Sequence, residues 1–455
     1  MTMLVQSMID TLPADIVVDD PDIVAAYARD QSKFTDGGMP FAVLVPRTTA
    51  EVSVCMAAAH RHRVAVVPRG AGSGLSGAAN ATAGSVVLSL HRMNTIREID
   101  VANRLAVIEP GVITADLRAR VSEAGLFYPP DPGSVEFSTV GGNVATNAGG
   151  MCCVKYGVTG DFVLGLEVVL ADGRVLRTGR RTVKGVAGYD LTRLLVGSEG
   201  TLGVITEITV ELLAAPRPAQ TLVASFPTLD GAGRAVAEIT SSDRTPSMLE
   251  ILDRTTVLAV DRMSKMGIEP GTAALLLVQS DDVDAEVVLA SIETMCSQHG
   301  AVDVVVSADQ GEAALLLEAR RLALPALELL GDWLLDDVAV PRSRVTDLIA
   351  SIETIAEEAG LTIGVFGHAG DGNLHPTIIY DDADADSRAA AMSAFDAITR
   401  RALELGGTIT GEHGVGRLKT GWLTIEHDET SMAVQRSVKD ALDPSRILNP
   451  GAVLR

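Results

Sequence analysis

The chain has 455 residues, 47% of them apolar, and a positive mean hydropathy. It is too long for one ordinary core and too apolar for disorder, so two or three folded domains are expected. A formal charge of -22 argues against a nucleic-acid partner, because no basic face is available to displace phosphate counterions, and no run of about eighteen apolar residues marks a transmembrane segment.

The stretch 1–22 carries acidic residues and no basic n-region. A cytoplasmic protein is expected, peripheral to a membrane at most through a partner. Cys55, Cys152, Cys153 and Cys296 show no CxxC spacing, which argues against an iron-sulfur cluster and against a secreted disulfide framework.

Residues 1–37 read as an N-terminal segment that packs on the domain after it. From Phe41 onward, short β-rich runs alternate with amphipathic helices. Thr49 is expected to cap a helix carrying Val52, Met56 and Ala59. Strands are expected at 64–67, 86–90, 105–109, 166–170 and 204–212, with a hairpin turn at Ala171-Asp172-Gly173. The run Ala214-Ala215-Pro216-Arg217-Pro218 reads as a linker that closes an α+β domain over 38–216.

A second domain is expected over 217–410. Its helices are read at 231–241, 285–299, 312–322, 342–359 and 386–405, and its strands at 273–279, 302–306, 334–340, 362–366 and 375–380. A sheet covered by helices on one face is the simplest packing for that order. Residues 411–455 are glycine-rich and end near Asn449-Pro450-Gly451. No internal repeat or low-complexity tract stands out.

Three glycine-rich loops carry one kind of chemistry. The run Pro68-Arg69-Gly70-Ala71-Gly72-Ser73-Gly74-Leu75-Ser76-Gly77 follows a strand and can aim backbone N–H groups at a pyrophosphate without a lysine. Alone it could equally be a tight turn, and it is not a Rossmann fingerprint, since no apolar helix follows Gly72-Ser73-Gly74. The second loop joins Asp131-Pro132-Gly133-Ser134 to Thr139-Val140-Gly141-Gly142-Asn143-Val144-Ala145-Thr146-Asn147-Ala148-Gly149-Gly150. The third is Gly197-Ser198-Glu199-Gly200-Thr201-Leu202-Gly203-Val204-Ile205-Thr206. Three such loops imply a large, extended ligand, and a dinucleotide fits.

Another concentration of chemistry lies near the C-terminus. Gly367-His368-Ala369-Gly370-Asp371-Gly372-Asn373-Leu374-His375 and Gly411-Glu412-His413-Gly414 together hold three of the eight histidines. Imidazoles beside a carboxylate suit a divalent ion such as zinc, with a base next to it. The plain alternative is a set of buried polar residues stabilising glycine-rich turns. Asp371 and Asn373 are read as turn-fixing residues rather than ligands.

The three loops resemble the FAD-binding motifs of the vanillyl-alcohol-oxidase-type flavoproteins. The C-terminal runs, including Leu448-Asn449-Pro450-Gly451, resemble the D-2-hydroxyacid dehydrogenase branch, which includes the FAD subunit of glycolate oxidase, D-lactate dehydrogenase and D-2-hydroxyglutarate dehydrogenase. The resemblance covers nearly everything beyond about residue 38. It implies an α+β fold in which a two-subdomain FAD-binding domain, completed by 411–455, carries an inserted cap domain of antiparallel sheet and helices. FAD contacts are then expected from Pro68, Arg69, Gly70, Ala71, Gly72, Ser73, Gly74, Ser76 and Gly77 in the first loop. The second contributes Asp131, Ser134, Thr139, Gly141, Gly142, Asn143, Thr146, Asn147, Gly149 and Gly150, with Tyr156 and Gly157 beyond it. Glu199, Gly200, Gly203, Ile205 and Asn449 complete the set. No histidine or cysteine lies in the first loop where some relatives attach the flavin, so non-covalent FAD is expected.

The same resemblance implies a mechanism. A divalent metal, zinc by preference, is held by His368, His375 and Glu412; His413 takes the hydroxyl proton; Arg320 clamps the substrate carboxylate; and the C2 hydride passes to flavin N5. Arg321 is the neighbour most easily confused with Arg320, and Cys152-Cys153 is read as packing rather than redox chemistry. Relatives that oxidise D-2-hydroxyglutarate place polar residues where this chain has Leu324, Leu335 and Thr377. A small monocarboxylate, glycolate or D-lactate, is therefore expected, with Thr377 lining its site. The competing readings are a D-2-hydroxyglutarate dehydrogenase, a non-catalytic flavin-binding subunit of a larger oxidase, and a metal hydrolase with a structural nucleotide. Electrons are expected to leave to a separate protein, a quinone or oxygen, and a homo-oligomer stays open.

Overall fold

The computed structural model describes residues 2–35, 37–269 and 271–454, without the side chains of Thr2 and Gln310. The chain forms two compact units. One comprises Met1–Gly149, Val158–Ala215 and Glu412–Arg455, the other Gly150–Gly157 and Pro216–Gly411. Gly150, Tyr156 and Gly157 thus belong to the second unit.

Among the described residues the first unit is built on two main sheets and a two-stranded antiparallel pair, Leu126–Phe127 with Leu213–Ala214. In the smaller main sheet the order is Val17–Val18, Ala42–Leu44, Val86–Ser89, Val66–Arg69, with the first pair antiparallel and the rest parallel. Helix Thr49–His62 buries Val52, Cys55, Met56 and Ala59 in one cluster with Val66, Val86 and Leu88. Its cap is Thr48, not Thr49. Thr48 has extended backbone and its hydroxyl accepts the Glu51 N–H, whereas the Thr49 hydroxyl donates to Glu167 at 2.6 Å.

The larger sheet is antiparallel, ordered Ile96–Asp100, Leu105–Ile108, Val204–Glu211, Val163–Val169, Val175–Gly179. Gly173 takes φ 88° in the turn between the last two sequence neighbours, and a Cβ there would lie 2.8 Å from Ser53 O. The C-terminal segment is more regular than its glycines suggest. Helices Thr420–Glu426 and Glu429–Leu442 precede a return in which Asn449 N–H bonds Val66 O and Val66 N–H bonds Ile447 O, both at 2.8 Å. Residues 447–449 thereby pair alongside the strand that feeds the first glycine loop, in parallel.

The second unit holds an eight-stranded sheet in which every pairing is antiparallel. Its order is Asp303–Ser307, Gln220–Phe226, Ala274–Ser280, Met248–Asp253, Thr362–His368, Asn373–Tyr380, Asp332–Leu335, with Val338–Ala339 also on Asn373–Tyr380. Strand Met248–Asp253 and helix Arg254–Ser264 fall where no element was expected. The single strand expected over 334–340 is two pieces, broken at the buried pair Asp336-Asp337.

Helices cover both faces of this sheet rather than one. A Cβ at Gly364 would lie 2.6 Å from Leu327 and 2.9 Å from Thr256, so the even positions of Thr362–His368 face helices Ala323–Glu328 and Arg254–Ser264. Ile363 and Val365 point the other way and are buried too, on the face where Val345–Ala359 packs against the strand. Among the described residues no helix is long and apolar enough to cross a membrane.

Candidate active site

The glycine loops of the first unit form a tight cradle. A Cβ on Gly70 would sit 2.4 Å from Thr139 Oγ1, one on Gly141 2.5 Å from Pro110 Cβ, and one on Gly203 2.3 Å from Val168 Cγ1. Among the described residues, no protein acceptor meets the backbone N–H groups of Ala71, Gly72, Ser73 and Gly74. Consecutive donors in such a concavity suit the oxygens of a pyrophosphate.

Several side chains expected at the cofactor also bond neighbouring protein groups. Thr139 caps helix Val140–Thr146 by accepting the Gly142 N–H, and Thr146 bonds back to Gly142 O. Asn143 donates to Thr114 Oγ1 at 2.8 Å, and Asn147, at φ 54°, accepts the Gly160 N–H. Arg69 donates to Ala79 O and lies over the Tyr27 ring, while Ile205 is buried in its strand. Ser134 O accepts the Ser138 N–H, and Asp131 is buried beside that turn. Gly77 and Gly200 adopt φ 80° and 70°. Gly149 ends the first-unit part of the second loop.

The segment carrying Glu412 and His413 is held from two of these loops. Ser76 Oγ donates to His413 O at 3.0 Å. The buried Glu199 carboxylate accepts Val415 N–H at 2.8 Å and Gly416 N–H at 2.9 Å. Burial pushes the Glu199 carboxyl up to about 7, against the pull of those two N–H groups. Asn449 Nδ2 ties the same place together by donating to Ala78 O and Glu199 O. Glu412 and His413 side chains approach each other to 3.8 Å.

In the second unit the sheet register does the assembling. Glu250 lies opposite His368, and Phe366 opposite His375, all on one face. His368 Nδ1 bonds Glu250 Oε1 at 2.6 Å, which leaves its Nε2 3.3 Å from His375 Nε2. Two imidazole nitrogens on one tetrahedral zinc, each at about 2.0–2.1 Å, stand about 3.3–3.4 Å apart. The histidine pair therefore fits a shared ion. Asp337 is buried beside them: Oδ1 accepts Asn373 Nδ2 at 2.7 Å, and Oδ2 accepts Thr410 Oγ1 at 2.6 Å and Gly411 N–H at 2.9 Å. Asn373, read as a turn residue, thus serves this carboxylate.

Arg320 joins the same face. Its Nε donates to Glu250 Oε2 at 2.5 Å and its guanidinium lies 4.8 Å from the Phe366 ring centre, whereas Arg321 is exposed. Burial pushes the Glu250 carboxyl up, but the Arg320 guanidinium and the hydrogen bonds from His368 and Arg320 outweigh it and hold the group below the usual carboxylate range. Thr377 is fully buried on the face of His375, paired with Leu335 across the sheet. Tyr156 and Lys155 both bond Asp281, at 2.5 Å each, which fixes the Gly150–Gly157 excursion within this unit.

Glu250 and Asp337 are the site residues that sequence reasoning missed. Glu250 stands alone in Met248-Leu249-Glu250-Ile251-Leu252, and a single charge inside an apolar strand signals a buried group with fixed partners. Asp337 carried no comparable signal, because its partners Thr410 and Gly411 lie more than seventy residues away.

Comparison with known proteins identifies the family. Residues 40–179 match the FAD binding domain family and residues 215–453 the family of FAD linked oxidases, C-terminal domain. The glycolate oxidase subunit GlcD of Bacillus subtilis (strain 168) is 45% identical over 416 residues, covering 91% of this chain and 88% of that protein. D-lactate dehydrogenase of Anaerostipes hadrus is 33% identical over 462 residues, covering 99% of this chain and 97% of that one. Among solved structures, substrate-bound p-cresol methylhydroxylase superposes with a TM-score of 0.81 at 16% identity, covering 99% of this chain and 96% of that one. A 4-ethylphenol oxidase from Gulosibacter chungangensis gives 0.78 at 20%, with 99% and 96% covered. The chain therefore belongs to the FAD-linked oxidases, flavin-dependent oxidoreductases of the vanillyl-alcohol-oxidase-type fold.

Proposed function

We propose that the protein is a dehydrogenase of small D-2-hydroxyacids, glycolate or D-lactate, that uses non-covalent FAD and a divalent metal. The observation that carries the reading is the Glu250–His368–His375 arrangement, with two Nε2 atoms 3.3 Å apart beside an arginine. Its relatives named as glycolate oxidase subunit and D-lactate dehydrogenase support the substrate class. When bound, FAD supplies a two-electron acceptor, and an ion at the histidines supplies positive charge that polarises a substrate oxygen.

The chain's own residues do the rest. His368 and His375 present ring nitrogens to the ion, and Glu412, covalently next to the anchored Gly411, is the third ligand in this reading. Arg320 keeps its terminal nitrogens for the substrate carboxylate. His413, its backbone fixed by Ser76, takes the hydroxyl proton. Leu335 and Thr377 offer no charge to a second carboxylate, which favours a monocarboxylate over D-2-hydroxyglutarate.

Anaerobic mixing of the metal-replete flavoprotein with D-lactate, glycolate and D-2-hydroxyglutarate tests this directly. The flavin absorbance is expected to bleach with one or both of the first two. Bleaching by D-2-hydroxyglutarate alone would replace the substrate assignment, and no bleaching by any D-2-hydroxyacid would sink the reading.

A further inference from the structure

Glu250 occupies a central strand with Leu249 and Ile251 on either side, and its side chain is fully buried. A carboxylate there carries a large desolvation cost, and an apolar residue would pack at least as well in a purely structural role. Both of its oxygens are committed. Oε1 takes His368 Nδ1 at 2.6 Å and Oε2 takes Arg320 Nε at 2.5 Å.

Each bond determines how its partner can act. The proton on His368 Nδ1 forces the lone pair onto Nε2, the atom that faces His375. The bond at Arg320 Nε consumes one edge of the guanidinium and leaves the two terminal nitrogens as the donor pair. The Phe366 ring, 4.8 Å away, limits the tilt of that plane. We propose that Glu250 is a positioning residue that couples the two halves of the substrate site, fixing the metal-facing tautomer of His368 and the end-on presentation of Arg320 through one carboxylate. This rests on the metal and substrate reading above.

The test uses the holoenzyme, with FAD content as the check of folding. Glu250→Gln removes the charge, and Glu250→Asp keeps it but is one methylene too short to span both partners. In either variant that retains FAD, metal affinity measured by chelator competition is expected to fall about 10- to 100-fold, and KM for D-lactate or glycolate to rise at least about tenfold. Arg320→Lys is expected to raise KM alone and leave the metal affinity at the wild-type value. Unchanged metal affinity and KM in the Glu250 variants would overturn the inference, and a change in one constant alone would overturn the coupling. Wild-type protein that takes up no stoichiometric divalent ion would sink the metal reading itself, and this inference with it.

Discussion

Asp337 holds Asn373 with one carboxylate oxygen and the Gly411 N–H with the other, at 2.7 and 2.9 Å. One buried side chain thus anchors both the start of the strand that carries His375 and the residue just before Glu412. In Asp337→Asn one of these donors faces an amide N–H instead of an oxygen. The expected loss is about 1–3 kcal/mol of stability, together with weaker metal retention, both measurable by chemical denaturation and metal analysis. Wild-type values for both would show that Asp337 anchors nothing.

His413 is expected to be separable from the groups around it. His413→Ala should keep FAD and metal, since its backbone contact with Ser76 does not use the ring. Stopped-flow flavin reduction should slow by about two orders of magnitude or more, the range typical of general-base removal. Loss of the metal in this variant would make His413 a ligand instead.

Glu199 makes stability depend on pH in an unusual direction. Its carboxyl is raised from the ordinary 4.5 to about 7 by burial, so the folded state holds the proton more tightly than the unfolded chain. The protonated group's contribution is complete below pH 4.5 and is lost as pH rises through 7, a swing on the order of 3 kcal/mol. The difference in Tm between wild type and Glu199→Gln should shift against the wild type across that window. A pH-independent difference would contradict the assignment.

Two glycines near the C-terminus should respond oppositely to alanine. Gly416 has φ 51° and a Cβ there would lie 2.1 Å from Ser76 O, so Gly416→Ala should cost roughly 2–4 kcal/mol from left-handed strain plus the clash. Gly421 lies in helix Thr420–Glu426 with nothing within 4 Å of its Cβ position. Gly421→Ala should be neutral or stabilising by up to about 1 kcal/mol. Urea unfolding of both variants measures the contrast.

Metal removal offers a check that needs no mutation. Prolonged chelation is expected to abolish substrate-driven flavin reduction while leaving FAD bound, because the glycine cradle and the histidine pair belong to different units of the fold. Zinc should restore it. Full activity after verified metal depletion would remove the ion from the mechanism.

Local chemistry was legible wherever neighbours in sequence are also neighbours in space. Gly173 marks its hairpin, and His368 and His375 lie across one tight turn between paired strands. The helix cap moved from Thr49 to Thr48, since either hydroxyl has the right chemistry and the distant Glu167 claims the second. Helices Thr420–Glu426 and Glu429–Leu442 were hidden behind the glycines and the Asn-Pro-Gly end around them. Strand Met248–Asp253 was overlooked although its lone glutamate was visible.

The sequence by itself determined the flavin loops, the histidine-rich turn and the membership of the chain in its family, because each depends on residue types at short spacing. The tertiary structure decided what those residues bond. Sheet register set Glu250 opposite His368 and Phe366 opposite His375, and a single-residue slip would have turned each to the other face. Long-range closure gave Glu199 to the Val415 and Gly416 N–H groups and Asp337 to Gly411. Those pairings span up to 217 residues, and they follow from desolvation: a carboxylate buried by the sheet or the loops must find donors wherever the fold brings them.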